Sequence, residues 1–315
     1  MDMQIIFDGI TAVRNIFAAF FLSWIRFFFS GYKKKSVTEE IVLITGAGSG
    51  MGQGMAMEFA KLGAVVVLWD VNNKGLEETV KMVKAVEGVC HTYICDVSDR
   101  AAVRETADKV RSEVGDVTML VNSAGVVAGR RLLDLTDQQI EHTFGVNLMG
   151  PIWTTKEFLP SMLENNQGHI VNMASSCGLI GLSHLTDYSA SKFGVVGFTQ
   201  TLNYEIHFSG HDGVHTTLVC PSFVTTGMFQ GCRMAFPLLI PELEQNATVQ
   251  RIMHAILTNQ SEVYIPRLVY FMNSLKTIIP VSAMLEVIRF FRADKFMHSF
   301  VGRGKDELSL PAKEE

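Results

Sequence analysis

Tyr188 is followed four residues later by Lys192, in the stretch Asp187-Tyr188-Ser189-Ala190-Ser191-Lys192-Phe193. On a helix, an i, i+4 pair lies on one face. An ammonium beside a phenol stabilises the phenolate and draws its pKa down from about 10 toward neutrality. A tyrosine placed in this way can carry a proton at physiological pH. The spacing alone is common, so the proton chemistry needs support from elsewhere in the chain.

That support starts upstream, in Ile41-Val42-Leu43-Ile44-Thr45-Gly46-Ala47-Gly48-Ser49-Gly50-Met51-Gly52. The run Ile41 to Ile44 is short, apolar and mostly β-branched, as a buried parallel strand should be. Met51 to Leu62 carries apolar residues at helical spacing. The glycines therefore fall at a strand-to-helix turn, where bare backbone can approach a pyrophosphate and the helix N-terminus offers free N–H donors to it. The spacing is T-G-x-x-x-G-x-G rather than the strict G-x-G-x-x-G. Its context makes the assignment: a strand before, a helix after and an acid further on. The acid is Asp70, which ends a second apolar run, Ala64 to Asp70, eighteen residues past Gly52. A carboxylate there accepts hydrogen bonds from adenosine ribose hydroxyls and repels a 2′-phosphate. No Arg or Lys lies within the glycine turn or directly after Asp70, so the expected cofactor is NAD rather than NADP.

Apolar strands alternate with amphipathic helices along the middle of the chain. The strand candidates are Ile41–Ile44, Ala64–Trp69, His91–Cys95, Met119–Val121, His169–Met173, His215–Val219 and Glu262–Ile265. Such alternation predicts an α/β fold, a single doubly wound parallel sheet of Rossmann type covered on both faces. Ligands bind at the carboxyl ends of the strands in these sheets.

Thr45 to Gly52, Asp96-Val97, Asn122-Ser123-Ala124-Gly125, Asn147, Ser175 and the Tyr188/Lys192 pair occur in an order and spacing that resembles the motif set of the short-chain dehydrogenase/reductase family. The resemblance covers roughly residues 38 to 260. More narrowly, the chain resembles the membrane- and lipid-droplet-associated branch that holds retinol and 17β-hydroxysteroid dehydrogenases. The closer match lies in Leu68–Asp70, Phe158–Pro160, Gly168–Val171, Thr216–Pro221, Thr226–Arg233 and Ala293–Lys295.

The resemblance implies a catalytic set of Asn147, Ser175, Tyr188 and Lys192. Tyr188 would exchange the proton, Lys192 would lower its pKa and hold the nicotinamide ribose, Ser175 would donate to the substrate oxygen, and Asn147 would hold a water linked to the lysine. Ser176 is the neighbouring candidate, but the S-x-x-G frame with Gly178 favours Ser175. For the cofactor, the resemblance implies Gly46, Ser49, Gly50, Met51, Gly52 and Asp70 at one end. It adds Asp96 and Val97 at the adenine, Asn122 (mainly a brace of the sheet), Ala124 and Gly125 at a ribose, and Pro221, Val224 and Thr226 near the nicotinamide carboxamide. Ser123 stands where the family usually has Asn. Ser222 stands where it has Gly, which questions the local turn. The family's variable substrate loop falls on Met228 to Ile240, with Ser175, Met228 and Phe229 as the expected substrate contacts. Its Met and Phe content suits a greasy ligand.

The chain of 315 residues suits one α/β domain plus extensions: an anchor with basic flank over 1–35, the NAD-binding domain over 36–262 and an amphipathic extension with a polar tail over 263–315. A net charge of −5 gives no footprint for nucleic acid. A hydrophobic content of 48% is high for a purely soluble protein and points to membrane contact. The five cysteines show neither a paired framework nor metal spacing, and cysteines and histidines form no mixed cluster, so no metal is expected.

Residues 4 to 32 are apolar and rich in Phe, but Asp8, Arg14 and Arg26 interrupt them, leaving only Asn15 to Ile25 free of charge between the arginines. A span needs about 20 apolar residues. At roughly 100° per residue, Gln4, Asp8, Thr11, Asn15, Ser23, Arg26 and Ser30 fall in a stripe about 120° wide, with Arg14 outside it. That favours a helix lying in the interface plane; a tilted span with snorkelling arginines is the alternative. Lys33 to Lys35 place the flank, and the catalytic domain, on the cytosolic side. A cleaved secretory signal is not expected, since the start lacks positive charge and no small-residue cleavage site follows. Tyr264 to Phe300 reads as two amphipathic helices that cover the substrate mouth, touch the membrane or pack on the core. Lys305-Asp306-Glu307-Leu308 spells a retention signal but is internal, so it is not read as one.

The expected function is oxidation or reduction of a lipophilic alcohol/carbonyl pair with NAD at the endoplasmic reticulum membrane or a lipid droplet. The expected partners are that membrane or droplet monolayer and a second copy of the chain in a homo-oligomer. The alternatives are a droplet coat protein with a vestigial dehydrogenase fold and an NADP-linked carbonyl reductase.

Overall fold

The computed structural model describes residues 3–25, 33–237 and 239–302. Arg26 to Tyr32, Leu238 of the expected substrate loop and the Lys305–Leu308 tetrapeptide lie outside the described residues. The chain forms two compact units, Met1–Lys35 and Ser36–Glu315.

The first unit contains helix α1, Met3–Ile25. Gln4 Nε2 donates to Asp8 Oδ1 at 3.1 Å, an i, i+4 bond within the polar stripe. Phe7, Ile10, Phe17, Phe20 and Phe21 are exposed. Among the described residues, no helix is long and apolar enough to cross a membrane.

The second unit is built on seven parallel strands: β1 Ile41–Thr45, β2 Val65–Asp70, β3 Val89–Ile94, β4 Met119–Asn122, β5 Gly168–Met173, β6 Val214–Pro221 and β7 Glu262–Ile265. Their order in the sheet is β3-β2-β1-β4-β5-β6-β7. All seven strands match those expected from the sequence, with ends shifted by a residue or two. β3 is an edge strand with an alternating, half-exposed pattern, and this makes its limits the hardest to read.

Side chains alternate between the two faces. Val42, Ile44, Val66 and Leu68 enter one apolar layer with Met55 and Phe59 of α2 (Gly50–Lys61), Leu76 of α3 (Asn73–Lys84), and Ile252 and Ile256 of α8 (Gln245–Leu257). Leu43, Val67 and Trp69 enter the other. They meet Val103 and Val110 of α4 (Arg100–Glu113), Phe158 and Met162 of α6 (Gly150–Glu164), and Leu202 and Ile206 of α7 (Thr186–Phe208). Trp69 and Phe158 meet with ring centroids 5.8 Å apart. Burying a side chain of this size contributes roughly 1.5–3 kcal/mol, so these two layers hold the sheet rigid between its helices.

The sheet order reverses direction between β1 and β4, both paired to the same register: Thr45 lies opposite Trp69 on one side and Asn122 on the other. The crevice of such a sheet opens at this switch point, above the carboxyl ends of the strands. Helix α5 (Asp137–Phe144) leads through a π-helical turn, Gly145–Met149, into α6. After β7, α9 (Leu268–Ile278), α10 (Val281–Phe290) and a 3₁₀ segment, Ala293–Ser299, complete the described chain.

Candidate active site

Asn122 ends β4 and Asn172 lies in β5, and both are fully paired in the interior. Thr154 Oγ1 donates to Asn122 Oδ1 at 2.7 Å, Asn122 Nδ2 to Asn172 Oδ1 at 2.8 Å, and Asn172 Nδ2 to Thr199 Oγ1 at 2.9 Å. This chain of bonds ties α6, two strands and α7 together beneath the site. Asn122, placed with the cofactor contacts from the sequence, does not line the cleft. It braces the floor. Asn172, its partner Thr199 and the Thr154 that bonds Asn122 were missed; the available signal was an amide in an otherwise apolar strand, which has to find partners.

Above this floor runs a cleft of about 820 Å³. One end is the turn between β1 and α2. Gly46 has φ +67°, and a Cβ there would lie 2.7 Å from Ala124 Cα. A Cβ on Gly52 would lie 2.2 Å from the Gly46 carbonyl oxygen. The glycines thus let α2 begin against the loop with its backbone bare. Ser49 at the helix start makes no side-chain cap bond. Thr45 Oγ1 accepts from Ser123 N at 3.1 Å and Ala124 N at 3.2 Å, which locks the two strand ends together.

Asp70 accepts from Gly48 N and Asn72 N, each at 2.9 Å, one on each carboxylate oxygen. Its second lone pairs line the cleft and can take a ribose diol. Asp96 accepts Ser98 N at 2.9 Å and Ser98 Oγ at 2.7 Å on Oδ1, leaving Oδ2 without a bond from that turn. Ser49, Gly50, Met51, Val97, Ala124, Gly125, Pro221, Val224 and Thr226 all line the same cleft, as expected. Gly48 of the glycine turn lines it as well, and Gln53, Asn72 and His142 line it and were not singled out. Ser222 is accommodated without a left-handed backbone, and its N–H donates to Ile265 O at 2.7 Å. The doubt about that turn is removed.

The other end of the cleft holds Ser175, Tyr188 and Lys192. All three are buried. Gly178 fixes the frame: its N–H donates to Ser175 O at 2.9 Å, and a Cβ on it would strike the Lys192 carbonyl at 2.6 Å. Ser175, not Ser176, therefore faces Tyr188. Ser175 Oγ accepts from Cys177 N at 3.1 Å, so its own hydrogen is free to point into the cleft.

Lys192 Nζ donates to Met173 O at 2.8 Å and stands 5.8 Å from the Tyr188 ring centre. The lysine was expected to draw the tyrosine pKa down. In the structure burial dominates both groups. It pushes the Tyr188 phenol well above its ordinary value, Cys177 adds to the rise, and the Ser175 hydroxyl only partly opposes it. Burial also brings Lys192 down to about 8.

Asn147 sits in the π-turn rather than in an α-helix, a common device at functional sites. Its Nδ2 donates to Val126 O at 2.9 Å and Ser191 Oγ at 3.1 Å, and its Oδ1 accepts from Val126 N at 2.8 Å. Both amide hydrogens are used, so the side chain holds the Gly125 backbone segment beside Lys192 and does not line the cleft. Ser191 was not foreseen.

On the substrate side, Tyr188 meets Phe229 edge-on at 5.8 Å, and Phe229 packs with Phe223, Phe296 and Phe300. Met228 Cε would lie 3.8 Å from a Cβ on Gly125. The 3₁₀ segment after α10 thus packs over Phe229 and Tyr188, one of the placements open from the sequence. Among the described residues, no group of three or more His, Cys, Asp or Glu side chains is placed to hold a metal ion.

A switch-point cleft with a glycine turn at one end and a buried Ser/Tyr/Lys group at the other defines a dinucleotide-binding oxidoreductase site. Residues 40–235 match the family described as short chain dehydrogenase, and the chain belongs to that family. It is 45% identical to retinol dehydrogenase 10 of Xenopus tropicalis over 300 residues, covering 87% of this chain and 88% of that protein. It is 44% identical to epidermal retinol dehydrogenase 2 of Homo sapiens over 273 residues, covering 86% and 88%. A crystal structure of a short chain dehydrogenase/reductase from Burkholderia phymatum in complex with NAD superposes with a TM-score of 0.70 at 30% identity, covering 76% of this chain and 94% of that one.

Proposed function

We propose that this chain is an NAD-dependent dehydrogenase that interconverts a lipophilic alcohol and its carbonyl at a membrane or lipid-droplet surface. The observation that carries the reading is the joining, in one cleft, of Ser175, Tyr188 and Lys192 with the glycine turn and Asp70. The glycine cradle and the bare start of α2 fit a dinucleotide pyrophosphate, and Asp70 fits an unphosphorylated ribose. When bound, the nicotinamide supplies the hydride acceptor or donor.

The chain's residues supply the rest. Tyr188 Oη exchanges the proton with the substrate oxygen. Ser175 Oγ donates to that oxygen as charge develops on it. Lys192, whose Nζ has donors left beyond its bond to Met173 O, keeps a positive charge near the phenol below about pH 8. The Phe229 cluster excludes water and holds an apolar carbon skeleton. The retinol dehydrogenase names of the relatives support a lipid alcohol. The exposed apolar residues of α1 support the membrane setting, and Lys33 to Lys35 support its cytosolic face.

The test is an initial-rate comparison of NAD and NADP over retinol, hydroxysteroids and long-chain alcohols. NAD should be preferred, and Asp70→Ala should weaken NAD use and relax the barrier to NADP. A wild type that prefers NADP, or turns over none of these alcohols, would overturn the reading.

A further inference from the structure

Beside the catalytic cleft lies a smaller cavity of about 60 Å³ that shares Ser175, Ser222 and Phe229 with it. Phe223, Phe229 and Phe296 line it with aromatic rings. Arg233, from the expected substrate loop, and Arg292, which follows α10, line it as well. The two segments are packed together: Phe236 stacks on Phe290 at 5.5 Å and meets Phe291 edge-on at 6.3 Å. Neither arginine forms an ion pair with a carboxylate among the described residues, although six other ion pairs are present, each with a basic partner elsewhere in the fold. The nearest acids in sequence are otherwise engaged or turned in. Glu242 Oε1 accepts from Met234 N at 3.2 Å, and Asp294 Oδ1 is buried. Arg292 also holds a left-handed backbone, φ +52°, a conformation strained for an L side chain. An asparagine or glycine would fill that position more cheaply if only the turn mattered.

A cavity lined by Ser175, three phenylalanines and two arginines that form no ion pair among the described residues is matched to a ligand that joins an apolar skeleton to an anionic group. The geometry points to a substrate subsite: this dehydrogenase takes lipid alcohols that carry a distal oxyanion (a carboxylate, sulfate or phosphate), held by Arg233 and Arg292 while the hydroxyl reaches Ser175 and Tyr188. The inference rests on the alcohol dehydrogenase reading above. A guanidinium is suited to it because it stays charged and meets an oxyanion with two parallel N–H bonds. The same chemistry is offered by anionic lipid headgroups, so the test must separate a group on the substrate from one in a membrane.

Full-length protein in neutral detergent, with NAD, would be assayed against chain-length-matched pairs from decanol and ω-hydroxydecanoate to hexadecanol and ω-hydroxyhexadecanoate. Binding of each pair would be followed by calorimetry in parallel. The hydroxy acid should show a KM lower than that of its alkanol by on the order of tenfold. Arg233→Gln together with Arg292→Gln should remove that advantage while leaving kcat and the alkanol KM unchanged. Equal KM and affinity within each pair, or an advantage that survives both substitutions, would overturn the subsite. So would matched pairs that behave alike while the double variant alone loses retention on phosphatidylserine vesicles, since the arginines would then read headgroups. Absence of NADH from every alcohol would instead refute the dehydrogenase reading, and the calorimetric comparison would still decide the subsite.

Discussion

Burial governs the protonation of the site, raising the Tyr188 phenol and lowering the Lys192 ammonium. The i, i+4 pair was legible because helical geometry is local. The direction of the tyrosine shift was not, because desolvation depends on what covers the ring, and Phe229 comes from a distant part of the chain. Two outcomes follow at this scale. Tyr188→Phe keeps the ring against Phe229 but removes the transferable proton, so turnover should fall about 10²–10⁴-fold while calorimetry still finds NAD binding. Lys192 has a folded pKa of about 8 against an ordinary 10.5. Between those values the unfolded chain binds the proton and the folded one does not, so the lysine's own contribution to stability rises with pH across that window, against the raised buried thiols, which pull the other way. Lys192→Met should remove that rising contribution and leave a less positive slope than in the wild type. The variant should be inactive yet melt a few degrees higher at neutral pH, where the wild type still carries a buried charge. A urea midpoint with the same pH slope in both proteins would refute the assignment.

At the scale of elements, the seven strands and the glycine turn were readable because a buried parallel strand is a continuous apolar run and each run is closed by a helix or glycine signal. The π-turn at Gly145–Met149 was not. It leaves no mark in hydrophobic periodicity, and only the need of a buried Asn147 for partners hinted at it. Asn122 shows the same limit: its motif was legible, while its bonds to Thr154 and Asn172 join residues far apart in the chain. As a brace, Asn122→Ala should cost about 1–3 kcal/mol in denaturant unfolding, the penalty of leaving buried partners unpaired, with little change in the KM for NAD. A large rise in that KM at unchanged stability would make it a direct cofactor contact. Gly52→Ala should do the opposite. Its Cβ would lie 2.2 Å from the Gly46 carbonyl, so the turn must shift, and NAD affinity should drop at least about tenfold, the equivalent of one lost 1.4 kcal/mol.

The whole molecule joins a dehydrogenase unit to an apolar helix whose burial its own unit does not supply. Phe7, Phe17, Phe20 and Phe21 of α1 are exposed, while Gln4 and Asp8 pair on the polar side. Leaving several such side chains in water costs roughly 1.5–3 kcal/mol each relative to burial, a strong drive toward a lipid interface. The later helices repeat the pattern more weakly, with Phe271, Ile278, Val281, Leu285 and Phe290 exposed on α9 and α10. A helix lying in the interface plane needs only one aqueous side, so it can sit on a droplet monolayer, whose hydrocarbon interior has no second aqueous face. The chain should therefore move between endoplasmic reticulum and lipid droplets. Deleting residues 1–32 should release most of it from flotation fractions, the remainder held by the α9–α10 surface. The same truncated protein should keep its NAD affinity, because every residue assigned to the cofactor lies in the unit from Ser36 onward. An N-terminal tag protected from protease in intact microsomes, together with absence from droplets, would show instead that the segment crosses the bilayer.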